Sequence, residues 1–285
     1  MPVLFFLIGS LSLVLSNTII KYTSINAIMS TGEIIMVKSL LSVLLLLPFN
    51  AKYIAEKQTR TRIMQNILLL LLLGIATLIS QFAWINAIKR IPMNNAWLCV
   101  MIISPIMSAV GGKIFFKESI STQIKLAFVI NIFAILLINQ FVVNKIDWNV
   151  GYLFLLGDLF AYTAIILLTR KLRELPSGLI VFVRFLVVLP ISFIATRHIP
   201  QFTFQVAFLS IMIAVLCVMG RILQTKTYKY IQVSIVQPLR YFDVVFSIIV
   251  SFAILGEKPT MYQVCGGVII VVSGCFISLN KKKSL

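Results

Sequence analysis

Apolar stretches long enough to cross a bilayer follow one another along this chain, with short polar corners between them. They fall at 3–20, 31–49, 65–87, 94–116, 121–140, 150–169, 179–196, 204–225, 232–255 and 261–279. A spanning helix needs roughly 20 mostly apolar residues, because in lipid every backbone polar group must be bonded within the segment. A soluble core could not hide so much apolar surface, since 60% of the 285 residues are hydrophobic and the mean hydropathy is +1.04. The sequence therefore predicts an all-α integral membrane protein of about ten transmembrane helices. No corner is long enough for a soluble domain. The first stretch has no basic segment before it and no small-residue cleavage site after it, so it is expected to stay as the first helix.

Charge sets the expected orientation. With a cytoplasmic N-terminus, fourteen Lys and Arg between Lys52 and Lys283 fall on inner corners, against Lys21, Lys89, Arg90, Lys145, Arg197 and Lys258 outside. By the positive-inside rule both termini face the cytoplasm, and the expected location is the bacterial cytoplasmic (inner) membrane. The net charge of +17 does not predict nucleic-acid binding, because the basic residues are spread over helix ends rather than gathered on one face. Cys99, Cys217, Cys265 and Cys275 all lie within apolar stretches without paired spacing and read as packing residues. Neither a metal site nor a cofactor is expected. The single histidine, His198, sits beside Arg197 at a helix end, and a lone His without a nucleophile or carboxylate partner does not indicate catalysis.

The chain also repeats itself at half its length. A stretch containing Pro105 ends in Phe116-Lys117-Glu118, and after a corner a last stretch runs to Gln140. A stretch containing Pro238 ends in Leu255-Gly256-Glu257-Lys258-Pro259, and after a corner a last stretch runs to Asn280. Met36-Val37-Lys38-Ser39-Leu40 is answered by Phe182-Val183-Arg184-Phe185-Leu186. The expected units are residues 1–143 and 148–280, followed by a basic cytoplasmic tail at 281–285. Five spans is an odd number, so the second unit must enter the membrane inverted relative to the first. Inverted repeats place a solute site near the midplane, between halves that can rock against each other.

Ser16 to Lys21, Ala87 to Pro92, Pro105 through Glu118 and above all Ser234 to Pro259 carry a family likeness. Through them the chain resembles, over essentially its whole length, the EamA-type drug/metabolite transporter superfamily. The resemblance implies ten helices in two inverted five-helix repeats. It is specific for fold and poor for substrate, because the superfamily handles amino acids, nucleobase-like metabolites, sugars, drugs and lipid-linked sugars. The run Arg240-Tyr241-x-Asp243 is similar to the branch containing S-adenosylmethionine importers.

Candidate substrate-binding residues are the polar groups that lipid would not tolerate. Asp158 lies about eight residues, or roughly 12 Å, inside the sixth stretch, and Tyr162 follows it by one turn. That face either lines a pathway or pairs structurally with a base such as Arg184. Arg240 and Asp243 form either a local ion pair or part of a site with Gln237 and Tyr241, where Pro238 frees a backbone carbonyl. Arg221, Gln224 and Tyr228 share one helix face, although Arg221 is near enough to the inner end to snorkel. Lys38 and Arg184 also lie within snorkelling reach. In the first half, Asn17, Gln81, Trp84 and Asn95 offer polar and aromatic surface, and Trp84 with Gln81 could hold an organic ring. Trp97 and Asn94 read better as interfacial. Gly111-Gly112 and Gly266-Gly267 are expected at close helix crossings. Glu118 and Glu257 are expected to cap the helix that follows each of them.

The function expected is secondary transport of an amino acid-, nucleoside- or S-adenosylmethionine-like metabolite by alternating access. The partners expected are a small-molecule solute, membrane lipid, and a proton or counter-solute as coupling partner. The alternative is a lipid-linked sugar flippase. An integral-membrane enzyme is less favoured because no nucleophile, base and metal set converges.

Overall fold

The computed structural model describes residues 2–26, 28–90, 93–138, 150–196, 203–255 and 259–280, with side chains at all of these except 25, 93–98, 195, 234, 251, 254, 255 and 274–280. Every element among them is helical. The first half contains α1 (Pro2–Ile25), α2 (Thr31–Ala55), α3 (Lys57–Gln65), α4 (Ile67–Ile88), α5 (Met93–Phe116) and α6 (Thr122–Ile138). The second contains α7 (Val150–Lys171), α8 (Ser177–Ala195), α9 (Phe204–Tyr230), α10 (Val233–Val236), a 3₁₀ turn at Gln237–Tyr241, α11 (Phe242–Leu255) and α12 (Met261–Asn280). Seven of the described helices are long and apolar enough to cross a membrane, and Thr122–Ile138 and Met261–Ser273 are shorter apolar helices.

Local signals explain where several of these helices begin and end. At the start of α2 the Ser30 hydroxyl accepts from the Glu33 N–H while the Glu33 carboxylate accepts from the Ser30 N–H, a capping box. The third stretch begins later than expected because Asn66 separates it from α3, a short polar helix whose Thr59 hydroxyl donates to Glu56. Pro48, Pro105 and Pro190 sit inside α2, α5 and α8, tolerated where neighbouring helices re-satisfy the freed backbone groups. The end of α5 is set by Lys117, whose φ of 53° takes the chain out of the helix, and the next N–H, of Glu118, donates to the Gly112 carbonyl.

The dominant helix pairings cross between the two halves of the chain: α1 with α9, α4 with α7, α2 with α8, and α6 with α12. Small residues allow the closest of them. A Cβ on Gly220 would lie 2.8 Å from the Gly9 carbonyl oxygen, so α1 and α9 meet backbone to backbone. Gly266 plays the expected role against α6, where a Cβ would stand 2.8 Å from the Ala134 carbonyl oxygen, whereas Gly267 has its nearest neighbour at 3.9 Å and serves no such crossing. The core is packed in patches between these pairs, centred on residues such as Leu70, Leu73, Leu159, Phe185 and Tyr241. Large apolar side chains including Leu68, Phe115, Phe160 and Ile194 face outward, a surface that a bilayer rather than water would cover.

Candidate functional site

The expected ninth span is not one helix. It runs as α10, the 3₁₀ turn and α11, and the turn holds Pro238 with Gln237, Arg240 and Tyr241, all buried. The tighter 3₁₀ winding turns successive side chains by a different angle from the α-helix. Arg240 is thereby directed into the protein, where its Nη1 donates to the Ser104 hydroxyl at 2.6 Å and its Nε stands 4.0 Å from the Asp243 carboxylate. Its guanidinium also lies 4.4 Å from the centre of the Tyr162 ring, and the Arg221 guanidinium lies 5.8 Å from the same ring. Tyr162 is thus flanked by two cations, an arrangement that the negative face of an aromatic ring favours.

Asp158, one turn before Tyr162 on α7, accepts the Ser80 hydroxyl of α4 at 2.6 Å. Its cationic neighbours are Arg240 and Arg221, so the basic residues near it are others than Arg184, the example of a structural partner expected from sequence. Of the expected site residues, Asp158, Tyr162, Arg221, Arg240 and Asp243 therefore gather in one cluster. Gln237 and Tyr241 are fully buried in the same turn; the Gln237 amide faces the Tyr228 hydroxyl, and the Tyr241 hydroxyl has no hydrogen-bond partner among the described residues. Gln224 reaches the cluster through α1, donating to Ser10, which itself neighbours Asp243.

The remaining candidates stand apart. Gln81 and Trp84 belong to the α4 wall beside Ser80; Trp84 packs between two apolar clusters, and the Gln81 Oε1 is buried without a partner. Asn17 is half-buried on α1 and takes no part in the cluster. Asn95, with Asn94 and Trp97, falls among the side chains outside the described set, and Glu257 and His198 lie outside the described residues.

Lys38 and Arg184 do not snorkel. They are 7% and 5% exposed on α2 and α8, and each has the other three-helix neighbours Arg221 and Cys217 nearby. Sequence reading placed both at span ends, because seven residues from a helix start is within reach of an interface when no neighbouring helix covers it. Here α2 packs on α8 and α9, which closes that route. Ser80, Ser104 and Ser10 were not foreseen, since a serine in an apolar helix bonds its own backbone as readily as a partner.

Glu118 also departs from expectation. Its carboxylate caps another element, accepting from the Val233 N–H at the start of α10 at 3.3 Å, and it pairs with Arg170 of α7 at 3.7 Å. Arg170 in turn donates to the carbonyls of Tyr228 and Lys229 at the end of α9. Its own following helix, α6, is capped by Ser121 instead. Glu118 therefore ties the end of the fourth span to the second half of the chain.

A large cavity lies elsewhere. A groove of about 1220 Å³ runs between α4 and α7, with Leu72, Ile75 and Ile79 on one wall and Gly157, Ala161 and Leu168 on the other, and charged residues at one end. It occupies the face of α7 opposite to Asp158 and Tyr162. It is an apolar lateral groove, distinct from the polar cluster. No group of three or more His, Cys, Asp or Glu able to hold a metal occurs among the described residues.

The EamA-like transporter family matches residues 1–140 and 149–279 of this chain. Among solved structures, a protein crystal structure superposes with a TM-score of 0.74 across 98% of this chain and 98% of its own, at 12% identity. At that identity the likeness concerns the fold alone. No curated protein matches.

Proposed function

The chain belongs to the EamA-like transporter family, and from that premise we propose that it is a secondary transporter, moving a small organic metabolite across the bacterial cytoplasmic membrane by alternating access. The observation that carries this reading is the cluster of Asp158, Tyr162, Arg221, Arg240 and Asp243, of which Asp158 and Arg240 are buried and the others half-buried, where helices of both halves meet. Charges at membrane depth are costly and mark solute or ion pathways. The 3₁₀ interruption of the ninth span beside them fits the discontinuous helices on which transporters build such sites.

The helix pairings support a two-fold relation between the halves, and the odd number of spans expected in each makes it an inverted one. With α1 matched to α7, α2 to α8, α4 to α9, α5 to α10 and α11, and α6 to α12, the contacts α1–α9 and α7–α4 exchange, while α2–α8 and α6–α12 map onto themselves. A two-fold axis requires that behaviour. With it go ten spans, units at 1–143 and 148–280 and, by the positive-inside rule, cytoplasmic termini. In this arrangement Glu118 and Arg170 close one mouth, and rocking of the halves would release them.

Solute binding falls to the cluster with Gln224, Gln237 and Tyr241, and to Gln81, Trp84, Asn17 and Asn95 on the facing half. Asp158 is suited to carry a coupling proton, because it is buried and accepts a hydrogen bond from a neutral group, the Ser80 hydroxyl. The solute biases the two conformations through its different affinity for each. One observation favours a second reading, a lipid-linked sugar flippase: the α4–α7 groove opens sideways, as a long-chain substrate would need. Its separation from the charged residues ranks it below solute transport.

Counterflow in proteoliposomes, with labelled metabolites inside and out, tests the proposal. Exchange of at least one water-soluble member of a panel of acids, amino acids, nucleosides and S-adenosylmethionine is expected. No exchange by protein that elutes and melts as a folded species would overturn it.

A further inference from the structure

The central cluster carries more positive charge than the protein balances. Among the described residues it brings together four cationic side chains, Lys38, Arg184, Arg221 and Arg240, and two carboxylates, Asp158 and Asp243. The carboxylates are already engaged on one side of it, Asp243 with Arg240 and Asp158 with Ser80, within reach of Arg240 and Arg221. Lys38 and Arg184 are left. Each is more than nine-tenths buried, their charged neighbours are one another and Arg221, and the Arg184 Nε has no hydrogen-bond partner.

Two adjacent buried cations repel each other, and an uncompensated charge away from water is strongly destabilising. The surroundings are nonetheless polar enough to hold a charged guest. The Tyr228 hydroxyl is a buried neighbour of Arg184, and the buried amide of Gln237 lies within hydrogen-bonding reach of it. A guanidinium presents a planar fork of donors that matches a carboxylate or phosphate, and an ammonium adds a point charge.

Resting on the transporter reading, we propose that the transported solute is a net-anionic organic acid. Its carboxylate or phosphate group is held between Lys38 and Arg184, and its polar body is bonded by Gln237 and Tyr228. Arg221 is a charged neighbour of both Lys38 and Arg184. Asp158 and Asp243, near Arg221 and Arg240, keep the empty site from accumulating still more positive charge.

The test uses the full-length protein in proteoliposomes and a counterflow panel sorted by charge. Succinate, glutamate and 3-phosphoglycerate are the anionic members, leucine and adenosine carry no net charge, and arginine and S-adenosylmethionine are cationic. Exchange confined to the anionic members is expected, and the carboxylate and phosphate members separate the two headgroup chemistries. Arg184→Gln and Lys38→Met should each weaken that exchange about tenfold or more, while Arg184→Lys keeps part of it. Because each of the first two removes an unbalanced buried charge, their melting temperatures should equal or exceed that of the parent. Exchange of neutral or cationic members only would overturn this inference and leave the transporter standing. Anionic exchange unaffected by both variants, or variants that melt well below the parent, would overturn the assignment to Lys38 and Arg184. Failure of every solute to exchange on folded protein would remove the transporter reading itself.

Discussion

Arg240 shows how one side chain can be held by the fold and still face a site. It donates to Ser104, stands 4.0 Å from Asp243 and lies over Tyr162. Replacing it alone leaves Asp243 as a buried carboxylate with its strongest partner gone, so Arg240→Met should destabilise the protein by about 3 kcal/mol. Asp243→Leu alone should do much the same. If the pair is a structural unit, the double variant should melt close to the parent, and the cycle should return a coupling of about 2 kcal/mol or more. Transport does not follow the same cycle, because the double variant lacks both charges and should remain inactive in counterflow. Recovery of transport together with stability would return the pair to a purely structural role. The backbone of Lys117 offers a simpler case. Its φ of 53° costs an L-residue roughly 1 kcal/mol and glycine nothing, less what glycine loses by its freedom in the unfolded chain. Lys117→Gly should raise the melting temperature in detergent and Lys117→Ala should not, since alanine keeps the strain and loses only the side chain.

At the scale of helices, the crossings make sharp predictions because a backbone atom of the neighbouring helix lies within 3.0 Å of a Cβ added at Gly220 or Gly266. A Cβ at position 220 meets the Gly9 carbonyl at 2.8 Å and Leu13 at 2.6 Å, and a carbonyl fixed within a helix cannot swing aside. Gly220→Val should force α1 and α9 apart and cost about 2 kcal/mol or more, read as a lower melting temperature. Gly267→Ala is the control, with its nearest atom at 3.9 Å, and the better helix propensity of alanine should leave stability unchanged or slightly raised. Sequence could name Gly266-Gly267 as a packing pair but could not say which glycine faces the neighbour, because that depends on the rotation of α12 about its own axis. The same limit explains the other departures. Apolar length located the spans and Pro238 marked the interruption, since both are properties of one segment. The surroundings of Lys38 and Arg184, read as within snorkelling reach, and the basic neighbours of Asp158 were not legible, because the covering of α2 by α8 and α9, and the pairing of α4 with α7, are relations between segments far apart in the chain. Asp158, Arg240 and Asp243 were legible as candidates through their cost in lipid; Ser80 and Ser104 were not, having no such cost.

For the whole molecule, the decisive question is whether the two halves are inverted, because alternating access by rocking depends on it. The pairing of α1 with α9 and of α4 with α7 is what a two-fold relation demands, but a two-fold axis along the membrane normal would exchange the same helices. Only the sidedness of equivalent corners separates the two. The corner after α1 holds Asn26 and the matching corner after α7 holds Glu174, both exposed. An axis in the membrane plane puts them on opposite faces, and an axis along the normal puts them on the same one. Five spans per half and the positive-inside rule place Asn26 outside, and Glu174, next to Arg173, Lys171 and Arg170, inside. In a background with Cys99, Cys217, Cys265 and Cys275 replaced, a membrane-impermeant maleimide should label Asn26→Cys on intact cells. Glu174→Cys, like Gln58→Cys on α3, should react only after permeabilisation. Labelling of positions 26 and 174 from the same side would make the halves parallel, and a five-helix unit could then be continued only if one of the spans failed to cross. Of the helices between these two positions, the shorter α6 is where such a failure would lie.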